Sequence, residues 1–372
     1  MKKSWIGILL SLFLALAFLG GCSKGGTAEK AQVPELRIRF SKGTCHTPMQ
    51  VALQKGEAFK DWGVYFKPVV PNERYELIKG EKKVADLVIV PDTGVEGAIN
   101  LMAQGQLDVA LTAIIAYMTG IDRGVPMKII SPLNCCGFAL ALQEDSQINN
   151  WQEFLDLVRR SSEPVKIGAC RNWTPTLAFD IIFKQNGLKT TWDPNDRGAN
   201  ILWVDLKSGT NFIPALASKQ VLGFVSSQPE PQKAEADGVG KVVAQIQDVV
   251  PREEWPSFPC CVIGATDMAI RDKKEALTAF LELWHKTTQW CKQNPEEYNA
   301  IVAQWTGLPL EIARKADETV IYQDKPDAAW LKGAGNYLDA LNREGVLTGK
   351  LKGKKLDEVK GELFDFSMLP KK

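Results

Sequence analysis

The residues with the most chemistry in this chain are its cysteines. Eight occur in 372 residues. Apart from Cys22 they are Cys45, Cys135, Cys136, Cys170, Cys260, Cys261 and Cys291. Two adjacent Cys-Cys pairs are not the spacing of an ordinary disulfide ladder, and no CxxC or zinc-ribbon pattern is present. Cys45 is followed directly by His46, one of only 2 histidines. Thiolates beside an imidazole can hold a soft metal ion, a metal-bearing solute or a thiophilic ligand. The candidate metal ligands are Cys45, His46, Cys136, Cys170 and Cys261. The same cysteines also suit small buried side chains or a disulfide between neighbouring strands, and spacing alone leaves these readings open.

A second chemistry is marked at Cys170 to Thr174. Arg171 precedes a helix opening at Thr174-Pro175, with Thr174 as a plausible N-cap and Pro175 at its first position. A guanidinium beside free helix N–H groups suits an oxyanion such as carboxylate, sulfonate or phosphate. Arg171 is otherwise a solvated surface residue. Trp173, in the same loop, either covers an organic ligand or packs between domains. His285 falls in a predicted helix and reads as structural.

These residues need elements to position them, and the chain alternates short strands with amphipathic helices. That pattern predicts an α/β fold with largely parallel sheets. Strands are expected at 35–40, 86–90, from 108, at 128–130, 138–143, 165–169, 201–205, 221–225 and 259–265. Helices are expected around 49–59, 95–104, 151–160 and 175–185, and from Lys273 onward the chain reads as helical. Eleven tryptophans are many, and either cleft or core can use them. Net charge is +1 with acids and bases evenly mixed, which gives no support for nucleic-acid binding.

The first residues set the compartment. Lys2 and Lys3 precede an apolar run from Trp5 to Leu19, too short to span a bilayer comfortably and ended by Gly20-Gly21-Cys22. This resembles the lipobox of bacterial lipoprotein precursors, in which cleavage before the cysteine leaves a diacylglycerol-bearing Cys22. Residues 23–33 are rich in Gly, Ala and Lys without an apolar period and read as a flexible tether. The expected organisation is a signal peptide over 1–21 and a lipidated, tethered segment over 22–34. A soluble domain outside the cytoplasmic membrane follows.

Five segments in order then resemble the substrate-binding proteins of nitrate/sulfonate/taurine-type ABC importers. They are Thr44–Pro48 with Gln54–Phe66; Ala98–Asp108 (AINLMAQGQLD) with the RGxPxK-like run Arg123–Lys128; Leu140–Leu155; Ala215–Val225 (ALASKQVLGFV); and Ile263–Trp284, with Asp267 and Ala276–Leu283. The resemblance spans about Glu35 to Val302, and the last residues match only as a helical tail. It implies a type II periplasmic-binding-protein fold, two α/β lobes joined by crossing strands with a ligand cleft between them. Lobe 1 is expected over 35–137 plus 260–372, lobe 2 over 138–259. Ligands in such sheets meet the loops at strand C-termini. That rule selects Thr44, Cys45 and His46; Asp92, Thr93 and Gly94; Thr112 and Ala113; Cys170, Arg171, Trp173 and Thr174; and Ser227 and Gln228. Cys135 and Cys260 are added from the crossing segments.

The implied function is a lipid-anchored binding protein that closes on a small solute and delivers it to a permease and its ATPase. It works as a monomer, with no cofactor of its own beyond a soft metal or metal-bearing ligand. A ligand-sensing surface receptor would show the same binding chemistry. The pyrimidine-precursor synthases of thiamine synthesis share the fold and are enzymes. Phe258-Pro259-Cys260-Cys261 falls at the place of their cysteine-rich motif. Their pyridoxal-binding lysine and nearby histidine correspond here to Thr112 and Ala116, so no Schiff base can form and no enzyme is expected.

Overall fold

The computed structural model describes residues 33–250 and 253–371. The leader, Cys22 and most of the tether lie outside the described residues. No helix among the described residues is long and apolar enough to cross a membrane.

Short apolar runs between turn residues become strands. In chain order they are β1 (Glu35–Arg39), β2 (Val64–Val70), β3 (Arg74–Lys79), β4 (Lys82–Ile89) and β5 (Val109–Ala113). Next come β6 (Met127–Pro132), β7 (Asn134–Cys136), β8 (Phe138–Gln143), β9 (Val165–Ala169) and β10 (Thr190–Thr191). The last are β11 (Ile201–Asp205), β12 (Gly223–Ser227), β13 (Gly240–Gln245), β14 (Cys261–Thr266) and β15 (Val320–Tyr322). Five helices follow strands that carry the site or flank it: α1 (Thr47–Lys55), α2 (Gly94–Ala103), α3 (Ile114–Asp122), α4 (Trp151–Arg160) and α5 (Thr174–Gln185).

Two large sheets result, one per lobe, with a two-stranded ribbon of β15 and β7 beside them. The first runs β2-β3-β4-β1-β5-β14-β6 and the second β10-β11-β9-β12-β8-β13. Each has a parallel centre, β4-β1-β5 in one and β10-β11-β9-β12 in the other. Antiparallel strands flank both, which corrects the expectation of largely parallel sheets. The strand expected at 86–90 is the second half of β4, while β2 and β3 fall outside the expected strands; β3 (RYELIK) interrupts its apolar residues with charged ones. The chain crosses to the second sheet through β7 and Gly137 and returns between β13 and β14. Gly137 has φ 73°, and a Cβ there would meet Val320 Cγ2 at 2.8 Å, so the crossing needs glycine.

Apolar side chains of the central strands are fully buried, among them Leu36, Ile38, Leu87, Leu111 and Ile263 in the first sheet and Leu140, Ile167, Ile201 and Phe224 in the second. Most tryptophans belong to this packing; Trp151 stacks on Phe183 at 5.7 Å, and Phe183 meets Trp203 at 5.5 Å. The helix expected at 49–59 ends earlier, at Lys55, and a 3-10 run, Gly56–Trp62, follows. Gly56 adopts φ 47°, which breaks the α-helical ladder. The helical tail carries one exception, β15, which pairs antiparallel with β7.

The tail is fastened rather than appended. Asp122, 3 % exposed, accepts the backbone N–H groups of Thr348 at 2.9 Å, Gly349 at 2.9 Å and Leu351 at 2.8 Å. Helix Ala328–Arg343 also reaches the second lobe's side, where Asn336 Nδ2 donates to Glu254 O at 3.0 Å.

Candidate functional site

A cavity of about 700 Å³ opens between the lobes, well within the size of small-molecule sites. Its walls are loops at the C-terminal ends of the parallel strands: 41–46 after β1, 92–97 after β4, 170–175 after β9, 205–210 after β11 and 227–230 after β12. Thr112 and Ala113 end β5, and Cys260 with Cys261 opens β14.

Its lining brings together Cys45, His46, Asp92, Thr93, Gly94, Thr112, Ala113, Cys170, Arg171, Trp173, Thr174, Ser227, Gln228, Cys260 and Cys261 from the residues selected above. Three candidates stand elsewhere. Thr44 is fully buried beneath the loop, where its Oγ1 donates to Gln228 O at 3.0 Å and its carbonyl accepts from Tyr322. Cys135 and Cys136 are spent in the crossing ribbon; they pair with Ile321 and Val320 of β15 and are 5 % exposed with no surface on the cavity.

His46 is held in one orientation. The backbone N–H of Ser41 donates to its Nδ1 at 2.9 Å, which makes Nδ1 the acceptor and puts the ring proton on Nε2. Burial presses its pKa down to about 4, although Cys45 opposes this, so the ring is neutral. Nε2–H is then a buried donor with no protein partner. In that tautomer His46 offers a hydrogen-bond donor, and it is not among the candidate metal donors that gather within 4.8 Å of one another.

Four more buried polar atoms on the lining lack a partner: Thr112 Oγ1, Thr174 Oγ1, Gln228 Nε2 and Gln228 Oε1. Each parent residue is at most 2 % exposed. Buried polar groups are normally hydrogen-bonded, so such a set around one cavity is complementary to a polar solute. Thr174 is the first residue of α5 and not its N-cap; Trp173 takes the cap position with extended backbone and no side-chain bond.

The cations at the site are largely paired within the protein. Arg39, 2 % exposed, donates to Asp92 Oδ1 through Nε at 2.9 Å and to Leu111 O through Nη1 at 3.2 Å. Arg171 pairs with Asp205 at 3.3 Å and lies over the Trp192 ring at 4.2 Å. Lys207 bonds the same carboxylate at 2.5 Å. The guanidinium chosen for an oxyanion is thus shared with Asp205 and largely solvated.

Three thiols stand at the base of the cavity. Cys45 Sγ lies 4.0 Å from Cys260 Sγ, and Cys260 Sγ lies 3.7 Å from Cys261 Sγ. All three sulfurs are within 4.8 Å of one another. Hydrogen bonds from Cys260 and Cys261 hold the Cys45 thiol well below its ordinary range, while bonds to Cys261 and Cys45 push Cys260 well above it. Of the cysteines and histidine selected as metal ligands, Cys45 and Cys261 lie in this group with Cys260, and Cys136, Cys170 and His46 do not. Burial pushes the Cys170 thiol up to about 12, and it packs against the second lobe's apolar cluster.

Arg39, the loop 205–210 and Glu230 were missed from the sequence. The strand-end rule, applied to β11, finds the loop. Arg39 was hidden because ELRIRF alternates like a half-solvated strand. Burial raises the Glu230 carboxyl to about 7, with Cys45 adding to the effect. A group whose folded pKa is raised imposes no penalty below its unfolded value near 4.5 and the full penalty above about 7. Stability should fall as pH rises through that window, by at most about 3 kcal/mol at 1.36 kcal/mol per unit. Glu230→Gln should flatten the dependence in urea unfolding at pH 5 and pH 8; an unchanged slope would show that Glu230 is not its source.

The chain folds into two α/β lobes with a cavity between them, and solved structures share that fold. The fold is similar to the zinc-bound ligand-binding component of an ABC-type import system from Staphylococcus aureus, with TM-score 0.66, 15% identity and coverage of 90% of this chain and 97% of that one. It is also similar to the nitrate-binding protein NrtA of Synechocystis PCC 6803, with TM-score 0.65, 14% identity and coverage of 91% and 87%. The aliphatic sulphonate-binding protein SsuA of Escherichia coli gives TM-score 0.64 at 14% identity, with coverage of 91% and 94%. The chain belongs to the NMT1-like family, whose model matches residues 29–307. The uncharacterized protein MJ1180 of Methanocaldococcus jannaschii is 37% identical over 136 residues, which are 36% of this chain and 91% of that protein.

Proposed function

We propose that this chain is an extracytoplasmic solute-binding protein of an ABC-type importer, anchored through a lipid on Cys22, that closes its lobes on a small solute and hands it to a permease. The observation that carries the reading is the convergence of His46 Nε2–H, Thr112, Thr174 and Gln228 as buried, unpartnered polar groups on one interlobe cavity. With Arg39, Arg171 and Lys207 paired to carboxylates of the protein, this cavity suits a solute read by hydrogen bonds more than a bare oxyanion. Lobes over 35–137 plus 260–372 and over 138–259 accord with the sheet memberships. An enzyme reading is disfavoured by Thr112, which presents a hydroxyl to the cavity where the resembling synthases have an amine.

Closure has a visible contact. Asn172 Nδ2, after β9, donates to Glu96 Oε1 of α2 at 2.8 Å, joining the two walls at the cavity mouth. Hinge motion opens such mouths. X-ray scattering of the solute-free and solute-saturated protein should give a smaller radius of gyration with solute. An unchanged radius at saturation would count against capture by closure. Import and sensing separate genetically: loss of uptake on deletion of the cognate permease supports delivery, and intact uptake opposes it.

A further inference from the structure

We infer that Cys45, Cys260 and Cys261 form a binding site for one soft, thiophilic metal ion at the base of the cavity. The inference deepens the solute-binding reading of this cavity and rests on it.

The geometry fits an ion. At metal–sulfur distances of about 2.3 Å, three sulfurs round one ion stand about 3.8 Å apart in a tetrahedral set and about 4.0 Å apart in a trigonal plane. The observed separations of 3.7 and 4.0 Å match both. A disulfide needs a sulfur separation of about 2.05 Å, and the three cysteines are free thiols. The ligands come from distant parts of the chain, with Cys45 215 positions from Cys260, so the fold and not a local motif assembles them.

The surroundings orient the sulfurs. Asn134 Nδ2 donates to Cys45 Sγ at 3.4 Å, and Asn134 Oδ1 accepts from the Cys261 N–H at 3.1 Å. One amide thus ties the first-loop thiol to the β14 thiol, as outer-shell groups do at metal sites. The donor set is all sulfur, without a carboxylate or an available imidazole, and that selects soft ions over hard ones. Cys261 is half-buried and on the lining, which leaves a coordination position facing the cavity. Binding replaces S–H with S–metal bonds and releases each displaced proton to solvent.

The test uses the full-length chain carrying Cys22→Ser, purified anaerobically and reduced, with Cd2+ alone as the probe. The ultraviolet sulfur-to-cadmium charge-transfer band should saturate at one ion per chain. Cys261→Ser and Cys45→Ser should each weaken binding at least tenfold, whereas Cys135→Ser and Cys291→Ser should leave it unchanged. Cys261→Ser at the half-buried position should keep the parent melting temperature, so its loss of the band reports ligation and not unfolding. No saturable band, or a band insensitive to Cys261→Ser, would overturn the site. So would an intact mass two hydrogens lighter under these reducing conditions. Compaction of the parent chain by solute, with no saturable cadmium band in that same chain, would sink the metal site while leaving solute capture standing.

Discussion

Asp108→Asn should lower global stability by about 3–5 kcal/mol, the cost of breaking a buried ion pair from one side. Asp108 is fully buried. It accepts the backbone N–H of Arg37 at 2.8 Å, Arg37 Nε at 3.0 Å and Nη2 at 3.0 Å, and it pairs with Lys273 at 2.8 Å. It therefore joins β1, the entry to β5 and the start of the long helix Lys274–Gln293. Burial alone would raise its pKa, but Arg37 and Lys273 outweigh that and hold it below its ordinary value. A depressed carboxylate contributes stability that is fully present above its unfolded pKa of about 3.9 and lost as pH falls through the folded value. Urea unfolding at pH 7 should show a lower midpoint with an unchanged slope. A midpoint shift under about 0.3 M would refute the argument. Because β1 and β5 carry both Cys45-His46 and Thr112, a loosened Asp108 should also loosen the site.

His46→Phe should weaken solute capture about 10- to 100-fold, the equivalent of roughly 1.4–2.8 kcal/mol for one lost buried hydrogen bond. The phenyl ring keeps the bulk but has no Nε2–H to offer. Ser41, half-buried at the rim, can give its freed N–H to water, so the loss should fall on binding and not on folding. The measurement is calorimetry with the solute released from the purified protein and identified by mass spectrometry, with Cys291→Ser as the control. Affinity within twofold of the parent would show that Nε2–H does not face the solute.

Much of this was readable before folding. The strand Phe138–Gln143, the helix Trp151–Arg160 and the strand Val165–Ala169 fall where apolar period and turn residues put them. The strand-end rule selected residues in four of the five loops that wall the cavity, because strand C-termini and the loops after them are local features. The failures share a cause. The antiparallel flanks depend on which strand lies beside which, and pairing between distant strands leaves little trace in a local window. Thr174 carries good N-cap chemistry, yet in the folded chain it is the first helical residue and its buried hydroxyl has no hydrogen-bond partner.

The residue order alone determined the alternation of strand and helix, the two-lobed class and the loops from which a site could be made. Tertiary structure alone decided which cysteines meet. Cys136 and Cys170 were selected in sequence beside Cys45 and Cys261, but β7 takes Cys135 and Cys136 into its pairing with β15, and apolar packing encloses Cys170. Among the described residues Cys45, Cys260 and Cys261 converge, because β5 and β14 are hydrogen-bonded neighbours and the loop after β1 lies beside them. Distances of a few ångströms between residues more than two hundred positions apart are a property of packing, and no spacing rule contains them.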